Sequence, residues 1–326
     1  MRILIYIQSP FAIWRIPAPH VERLRREFPG HDFVQAHDEQ EAQRLVADAE
    51  AAFSSHMTPA LLAAAPRLRW IHSPAAGVGS MLFPALQHGP VLVTNSRGMA
   101  ADTMAEHVLA VTLAMFRRLP HALRSQARRE WAQDAIGRAA SRTIAGSRVL
   151  IVGLGATGLA VATRMHALGA EVTGIRRRVE NSRPDAVARV APPSRLRELL
   201  PAADVIVLSA PHTPETRHMI GEAELAAMSP RALLVNVSRG RLVDEAALVR
   251  ALAAGRPGEA ALDVFQQEPL PPGSPLWTLP NVLITPHTSG FRADHWDAAL
   301  RLFAENLRRL DAGLPLRNMV DKEAGY

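Results

Sequence analysis

Short apolar runs rich in β-branched residues alternate with helix-period patterns along the whole chain. Ile3-Leu4-Ile5-Tyr6-Ile7 opens the first run, and Val21, Leu24 and Phe28 then recur at helical spacing until Pro29-Gly30 stops them. Further strands are expected near Phe33, at Ala51 to Phe53, at Arg69 to Ile71 and at Val91 to Val93, which makes one compact unit of about a hundred residues. A second series begins at Arg148, with strands at Val149 to Val152, Glu171 to Ile175, Val205 to Leu208, Leu233 to Val237, Glu259 to Leu262 and Val282 to Ile284. These are apolar from end to end, as strands covered on both faces must be. The alternation calls for parallel sheets with crossover helices, so the fold class is α/β with two doubly wound domains.

Between the series, a helix should open at Asp102-Thr103-Met104-Ala105-Glu106, where Thr103 and Glu106 stand at capping-box spacing. Val108 to Phe116 is apolar all round, so this helix must be buried on most sides, by its own sheet or by another subunit. Arg117 to Ser147 is polar and aperiodic, which suggests an arm or a dimer contact more than core. After Gly290 a last helix carries Trp296, Ala299, Leu300, Phe303, Leu307 and Leu310 on one stripe.

The chain has 326 residues, 48% hydrophobic and 21% charged. That composition fits two folded domains and excludes disordered, collagen-like and fibrous chains. Cysteine is absent, which removes disulfides, Cys-ligated metal and thiol nucleophiles together. No metal site is expected. The opening apolar run ends at Gln8-Ser9-Pro10, too short for a signal segment or a membrane span, and the chain reads as soluble and cytoplasmic. A net charge of +6 raises the question of nucleic acid. However, all basic residues but Lys322 are Arg, and they interleave with acidic ones as in Glu22-Arg23-Leu24-Arg25-Arg26-Glu27. Such a pattern describes solvated helix faces, so neither nucleic acid nor membrane is expected as a partner.

Candidate chemistry starts where Val149-Leu150-Ile151-Val152 runs into Gly153-Leu154-Gly155-Ala156-Thr157-Gly158. A glycine turn between a strand and a helix, with a second strand about 20 residues on, is the dinucleotide fingerprint. Gly153 permits the turn, Gly155 lets the backbone approach a pyrophosphate, Gly158 lets helix pack on strand, and the helix start offers free N–H groups. An NAD site puts a carboxylate at the end of the second strand, and here that place reads Gly174-Ile175-Arg176-Arg177-Arg178. Guanidinium groups fork onto phosphate, so Arg176 and Arg177 favour the 2′-phosphate of NADP(H), with NAD(H) as the second choice.

Three later segments end strands or follow them: Asn236-Val237-Ser238-Arg239-Gly240, Leu262-Asp263-Val264-Phe265-Gln266-Gln267-Glu268-Pro269, and Thr285-Pro286-His287. Ligands of open α/β sheets bind at the carboxyl ends of strands, so all three converge on the coenzyme's crevice. Reduction of a 2-keto acid needs a cation for the carboxylate, a proton donor for the carbonyl oxygen, and a carboxylate that holds the donor protonated. Arg239, His287 and Glu268 are those three groups.

In these motifs, their order and their approximate spacing, nearly the whole chain resembles the NAD(P)-dependent D-2-hydroxyacid dehydrogenases. The stretch from Glu268 to Trp277, with Pro269-Leu270-Pro271-Pro272-Gly273-Ser274-Pro275-Leu276 between, is similar to the glyoxylate/hydroxypyruvate reductase branch. The resemblance implies that His287 is the general acid in reduction, that Glu268 supports its protonated form, and that Arg239 binds the substrate. It implies that Asp263 faces the nicotinamide carboxamide, and that Ala156, Thr157, Pro211, Thr216, Val237, Ser238 and Ser289 join the glycines around the coenzyme. Ser73-Pro74-Ala75-Ala76-Gly77-Val78-Gly79 is similar to the family's substrate loop, with Ala76, Gly77 and Val78 offering backbone N–H groups to the substrate carboxylate.

The resemblance also implies a Rossmann nucleotide domain, 99–290, inserted in a flavodoxin-like substrate domain, 1–98 and 291–326, with Gly98 and Gly290 as hinge positions near the crossings. A homodimer is expected on the same ground and from the all-apolar helix. Gly79, where the family often has Asp, and Thr288-Ser289-Gly290-Phe291-Arg292 after His287 depart from the family pattern, which leaves the keto acid open. The competing class is a nucleotide-sensing, corepressor-like binding module, since that fold also serves such proteins. Hydride transfer from formate or phosphite is disfavoured because neither gives His287 a carbonyl oxygen to protonate.

Overall fold

Each strand run marked by the hydrophobic pattern becomes a parallel strand in the computed structural model, which describes residues 1–139, 141–180 and 183–326. The chain divides into two compact units, Met1–Met99 with Arg292–Tyr326, and Ala100–Phe291. Gly98 is in the left-handed region at φ 85°, one residue before the first unit's opening segment ends.

In the first unit, β1 (Arg2–Tyr6), β2 (Asp32–Gln35), β3 (Ala51–Ser54), β4 (Trp70–Ser73) and β5 (Leu92–Asn95) form a sheet in the order β2-β1-β3-β4-β5, the flavodoxin-like arrangement. Ile3 pairs with both Phe33 and Ala51. Alternate residues serve opposite faces: Leu4 and Tyr6 enter one core, Ile3 and Ile5 the other. The second core is closed by the His295–Asp311 helix, whose Phe303 stacks on Phe53 at 4.6 Å and on Trp70 at 5.3 Å. His72, fully buried beside them, has Nδ1 2.7 Å from Thr94 Oγ1, and burial pushes its pKa down to about 3.

The second unit carries β6 (Arg148–Val152), β7 (Glu171–Ile175), β8 (Arg189–Ala191), β9 (Val205–Leu208), β10 (Leu233–Asn236), β11 (Glu259–Leu262) and β12 (Val282–Ile284). Their order, β12-β11-β10-β9-β6-β7-β8, is that of a dinucleotide fold, with the chain reversing direction across the sheet between β6 and β9. Leu150 and Val152 of β6 face one core and Val149 and Ile151 the other, so helices cover both faces. The pattern misses β8 because it is a three-residue edge strand with one buried residue, too short to show a period.

Two local expectations fail. The helix at the start of this unit spans Ala101–Phe116, and its N-cap is Ala100, with no side-chain cap. Thr103 lies inside the first turn and gives its hydroxyl to Ala100 O (3.0 Å), while Arg164 draws Asp102 (2.9 Å) and Glu106 (3.8 Å) outward, so no capping box forms. The stretch Arg117 to Ser147 is not irregular either: it contains the Leu119–Ala127 and Gln133–Arg138 helices. Their mixed composition hides the period, and Trp131 between them is 91% exposed. The Ala101–Phe116 helix buries Val108, Val111, Thr112, Met115 and Phe116, and leaves Leu113 exposed.

Candidate active site

Two glycines of the turn, Gly153 and Gly158, are held by contacts that admit no side chain. Gly153 has φ 103°, and a Cβ on Gly158 would come within 1.9 Å of Gly153 O. A Cβ on Gly155 would meet nothing within 4 Å. The turn is thus closed on the protein side and open on the other. Helix Ala156–Ala167 starts there with Gly155 as N-cap and no side-chain cap, so its first N–H groups are available to an anion. Gly153 N–H donates to Ile175 O (2.9 Å), which fixes the end of β7 beside the turn. Half-buried Arg176 and exposed Arg177 follow at once. A cradle with an open face and an uncapped helix start suits a dinucleotide.

Around that turn, Thr157 lies near Met104, Thr216 Oγ1 donates to Pro211 O (2.7 Å), and Ser238 Oγ donates to Ala210 O. Val237, Ser238 and Ser289 are buried, whereas Ala156 at the helix start is exposed. Burial gives the first three a backbone role in the loops more than a side chain open to a ligand.

The loop after β10 is clamped by Asn236, whose amide accepts from Ser238 N–H (3.1 Å) and donates to Arg239 O (3.1 Å). Gly240 then presses on the next loop so closely that a Cβ would lie 1.9 Å from Phe265 C. Nothing in the sequence assigns Asn236 or Gly240 a task, yet together they hold Arg239 beside the segment that carries Glu268. Arg239 itself is exposed and donates to Ser238 O (2.7 Å).

Glu268 uses its two oxygens separately. Oε1 accepts the Phe265 N–H (2.9 Å), and Oε2 lies 2.6 Å from His287 Nδ1. Burial alone would raise this carboxyl. The hydrogen bonds from His287 and Phe265 and the attraction of His287 and Arg239 outweigh burial and hold it below the usual carboxylate range. An ionised carboxylate only accepts, so Nδ1 carries the shared hydrogen and Nε2 is the imidazole nitrogen left for other work. Half of the His287 side chain is exposed.

His287 sits at φ 54°, an uncommon conformation for a residue with a side chain, and the loop around it is tied to Asp263. Asp263 Oδ1 accepts from Thr285 Oγ1 (2.6 Å) and Thr288 N–H (2.9 Å), and Oδ2 from Ser289 N–H (3.0 Å). The His287 N–H donates to Asp263 O (2.9 Å). Asp263 is 1% exposed, and although burial raises its carboxyl, these bonds bring it below the usual range. Its carboxylate holds the loop through both oxygens, with a single bond on Oδ2. His107 stands behind this network, Nε2 3.2 Å from Thr285 Oγ1 and 3.9 Å from Asp263 Oδ1. Burial pushes His107 down, and Asp263 only partly offsets it. No pattern in the sequence singles out His107, which lies inside the Ala101–Phe116 helix and whose contacts depend on which loop packs over it.

In the first unit, the 73–79 loop leaves the end of β4. Ser96 N–H donates to Ala75 O and Asn95 Nδ2 to Ala76 O (2.7 Å), so side and main chain after β5 brace it. The N–H groups of Ala76, Gly77 and Val78 have no acceptor among the described residues, and the Val78 side chain is buried in the core. Among the described residues no helix is long and apolar enough to cross a membrane, and no cluster of metal-type ligands is present.

Residues 109–289 match the family model "D-isomer specific 2-hydroxyacid dehydrogenase, NAD binding domain". The chain is 34% identical over 273 residues to a glyoxylate reductase of Korarchaeum cryptofilum, covering 80% of this chain and 78% of that one. It is 38% identical over 253 residues to glyoxylate/hydroxypyruvate reductase B of Citrobacter koseri, covering 76% and 77%. Among solved structures, a D-isomer specific 2-hydroxyacid dehydrogenase of Xanthobacter autotrophicus Py2, in complex with NADPH and MES, is similar with a TM-score of 0.84 at 31% identity, over 99% of each chain.

Proposed function

The chain belongs to the D-isomer specific 2-hydroxyacid dehydrogenase family, and from that premise we propose that it reduces small 2-keto acids, of the glyoxylate and hydroxypyruvate kind, to D-2-hydroxy acids with NADPH. The observation that carries this reading is the 2.6 Å contact between His287 Nδ1 and Glu268 Oε2 at the carboxyl end of the sheet that holds the glycine turn.

A bound nicotinamide coenzyme supplies the hydride that reaches the keto carbon. Glu268, ionised and accepting from Nδ1, fixes the ring of His287 and leaves Nε2 for the substrate. Nε2 then gives its proton to the carbonyl oxygen, so that one hydride and one proton complete the alcohol. Arg239 meets the substrate carboxylate as a cation, and the loop from Thr285 to Ser289, tied to Asp263, keeps the imidazole in place. The free N–H groups of Ala76, Gly77 and Val78, in the other unit, suit an anion. Arg176 and Arg177 favour NADPH over NADH through the 2′-phosphate, and the NADPH in the Xanthobacter structure supports that preference. The exposed Leu113 on an otherwise apolar helix and the exposed Trp131 support a homodimer, which light scattering tests; a monomeric mass rejects it.

The deciding experiment is an activity matrix of keto acids against NADPH and NADH. Turnover of glyoxylate or hydroxypyruvate is expected, with the lower KM for NADPH, and His287→Gln should lower kcat by about 10²- to 10⁴-fold while coenzyme affinity holds. Nucleotide binding without oxidation on any acid would replace the enzyme with a sensor, and a clear NADH preference would remove the role of Arg176 and Arg177.

A further inference from the structure

In the Ala100–Phe291 unit a cavity of about 590 Å³ lies at the opposite end of the sheet from the glycine turn. Its lining includes Arg231 just before β10, Glu259 at the start of β11 and Asn281 just before β12, whereas Arg239, Asp263 and His287 follow the far ends of the same strands. A strand of four residues at roughly 3.3 Å each puts about 13 Å between these ends. The dehydrogenase chemistry makes no use of this cavity.

Four guanidinium groups line it, those of Arg118, Arg124, Arg142 and Arg231, against the single carboxylate of Glu259. Glu259, buried, accepts Arg118 on one oxygen and Arg142 on the other, so its capacity is spent on that pair. Arg142 is wedged over the Phe116 ring at 4.0 Å. The Nε atoms of Arg118 and Arg142 are buried without a hydrogen-bond partner among the described residues. Arg124 reaches one carbonyl, Pro280 O at 3.2 Å, and the exposed Arg231 side chain has no acceptor among the described residues. The other guanidinium nitrogens of Arg118 and Arg142 are taken up by Glu259, Ala139 O and Arg231 O, so the positive charge in excess at this space is that of Arg124 and Arg231, which suits an anion.

We propose that this cavity binds a phosphate-type dianion, held by Arg124 and Arg231 and backed by the Arg118–Glu259–Arg142 cluster. Guanidinium forks match the oxygens of such an ion, and a dianion offsets more of the excess charge than a chloride does. Glu259 gives the site its rigidity by fixing two of the four arginines before the ion arrives.

Inorganic phosphate is the probe, titrated by calorimetry and by thermal unfolding against sodium chloride at equal ionic strength and pH. A saturable heat and a saturable rise in Tm are expected for the native protein. Because the dinucleotide turn also attracts phosphate, the titration is repeated on R176A/R177A, which should keep the response, and on R124A/R231A, which should lose it by tenfold or more in Kd. Arg124 and Arg231 are both exposed, so their removal leaves the core intact. A response that is absent from the native protein, unchanged in R124A/R231A, or lost in R176A/R177A overturns the proposal. So does an R124A/R231A protein whose mass by light scattering falls while its phosphate response persists, since the arginines then serve a second copy of the chain.

Discussion

At the level of single residues, the decisive arrangement is the division of labour between the two oxygens of Glu268. One is held by a backbone N–H and the other by His287, so neither oxygen is free to turn away. The Glu268 carboxyl is held below the usual range, so its favourable interactions are present above that range and are lost as pH falls through the lowered value. Glu268→Gln removes the charge and keeps the shape. Keto-acid reduction should then fall by about 10²-fold in kcat/KM at neutral pH, and the two proteins should converge as pH falls through the lowered Glu268 value, where the native carboxylate also loses its charge. Parallel profiles for the two proteins would take Glu268 out of the mechanism. The sequence made this pair legible through residue types at strand ends. It made Asp263 visible too, but not its three loop hydrogen bonds, because those depend on how the Thr285–Ser289 backbone folds back on β11.

Elements add what single residues lack, namely a fixed direction for each loop. The strand, glycine turn and helix around Gly153–Gly158 were readable because glycine at such spacing has a steric reason, and the contacts give that reason in distances. They also separate two roles. Gly158→Ala forces a Cβ against Gly153 O and should destabilise the protein by about 1–3 kcal/mol. Gly155→Ala meets open space and should leave stability within about 0.5 kcal/mol of the parent while raising the Kd for NADPH at least tenfold. Chemical denaturation paired with coenzyme titration measures both, and equal stability losses would erase the distinction. Element ends were less legible. The capping-box pattern at Thr103 and Glu106 misled because Arg164, distant in sequence, takes the carboxylates of that turn, and the three-residue β8 has too few positions to declare a period.

For the molecule as a whole, stability rests on two sheets, each covered on both faces, and on a few buried polar groups that set its response to acid. His72 is neutral in the folded chain, its pKa pushed down by burial to about 3 from an ordinary 6.5. As pH falls below about 6.5 the unfolded chain takes up a proton that the folded one refuses, so stability declines until the folded value is reached. At about 1.4 kcal/mol per unit, the loss between pH 6.5 and pH 5 is about 2 kcal/mol. His72→Gln, which retains a partner for Thr94, should flatten that dependence in urea midpoints measured at pH 7 and pH 5; equal slopes would show that other groups govern it. The sequence by itself determined the fold class, the strand series, the dinucleotide turn and the positions of Arg239, Glu268 and His287 just past strand ends, since periodicity, glycine sterics and residue order are local properties of the chain. The tertiary structure alone decided which oxygen of Glu268 meets His287, that Asp263 anchors the loop around His287, that His107 stands behind it, and that four arginines from separate segments share one cavity. Those facts are distances between groups far apart along the chain, and no local pattern encodes a distance that only packing sets.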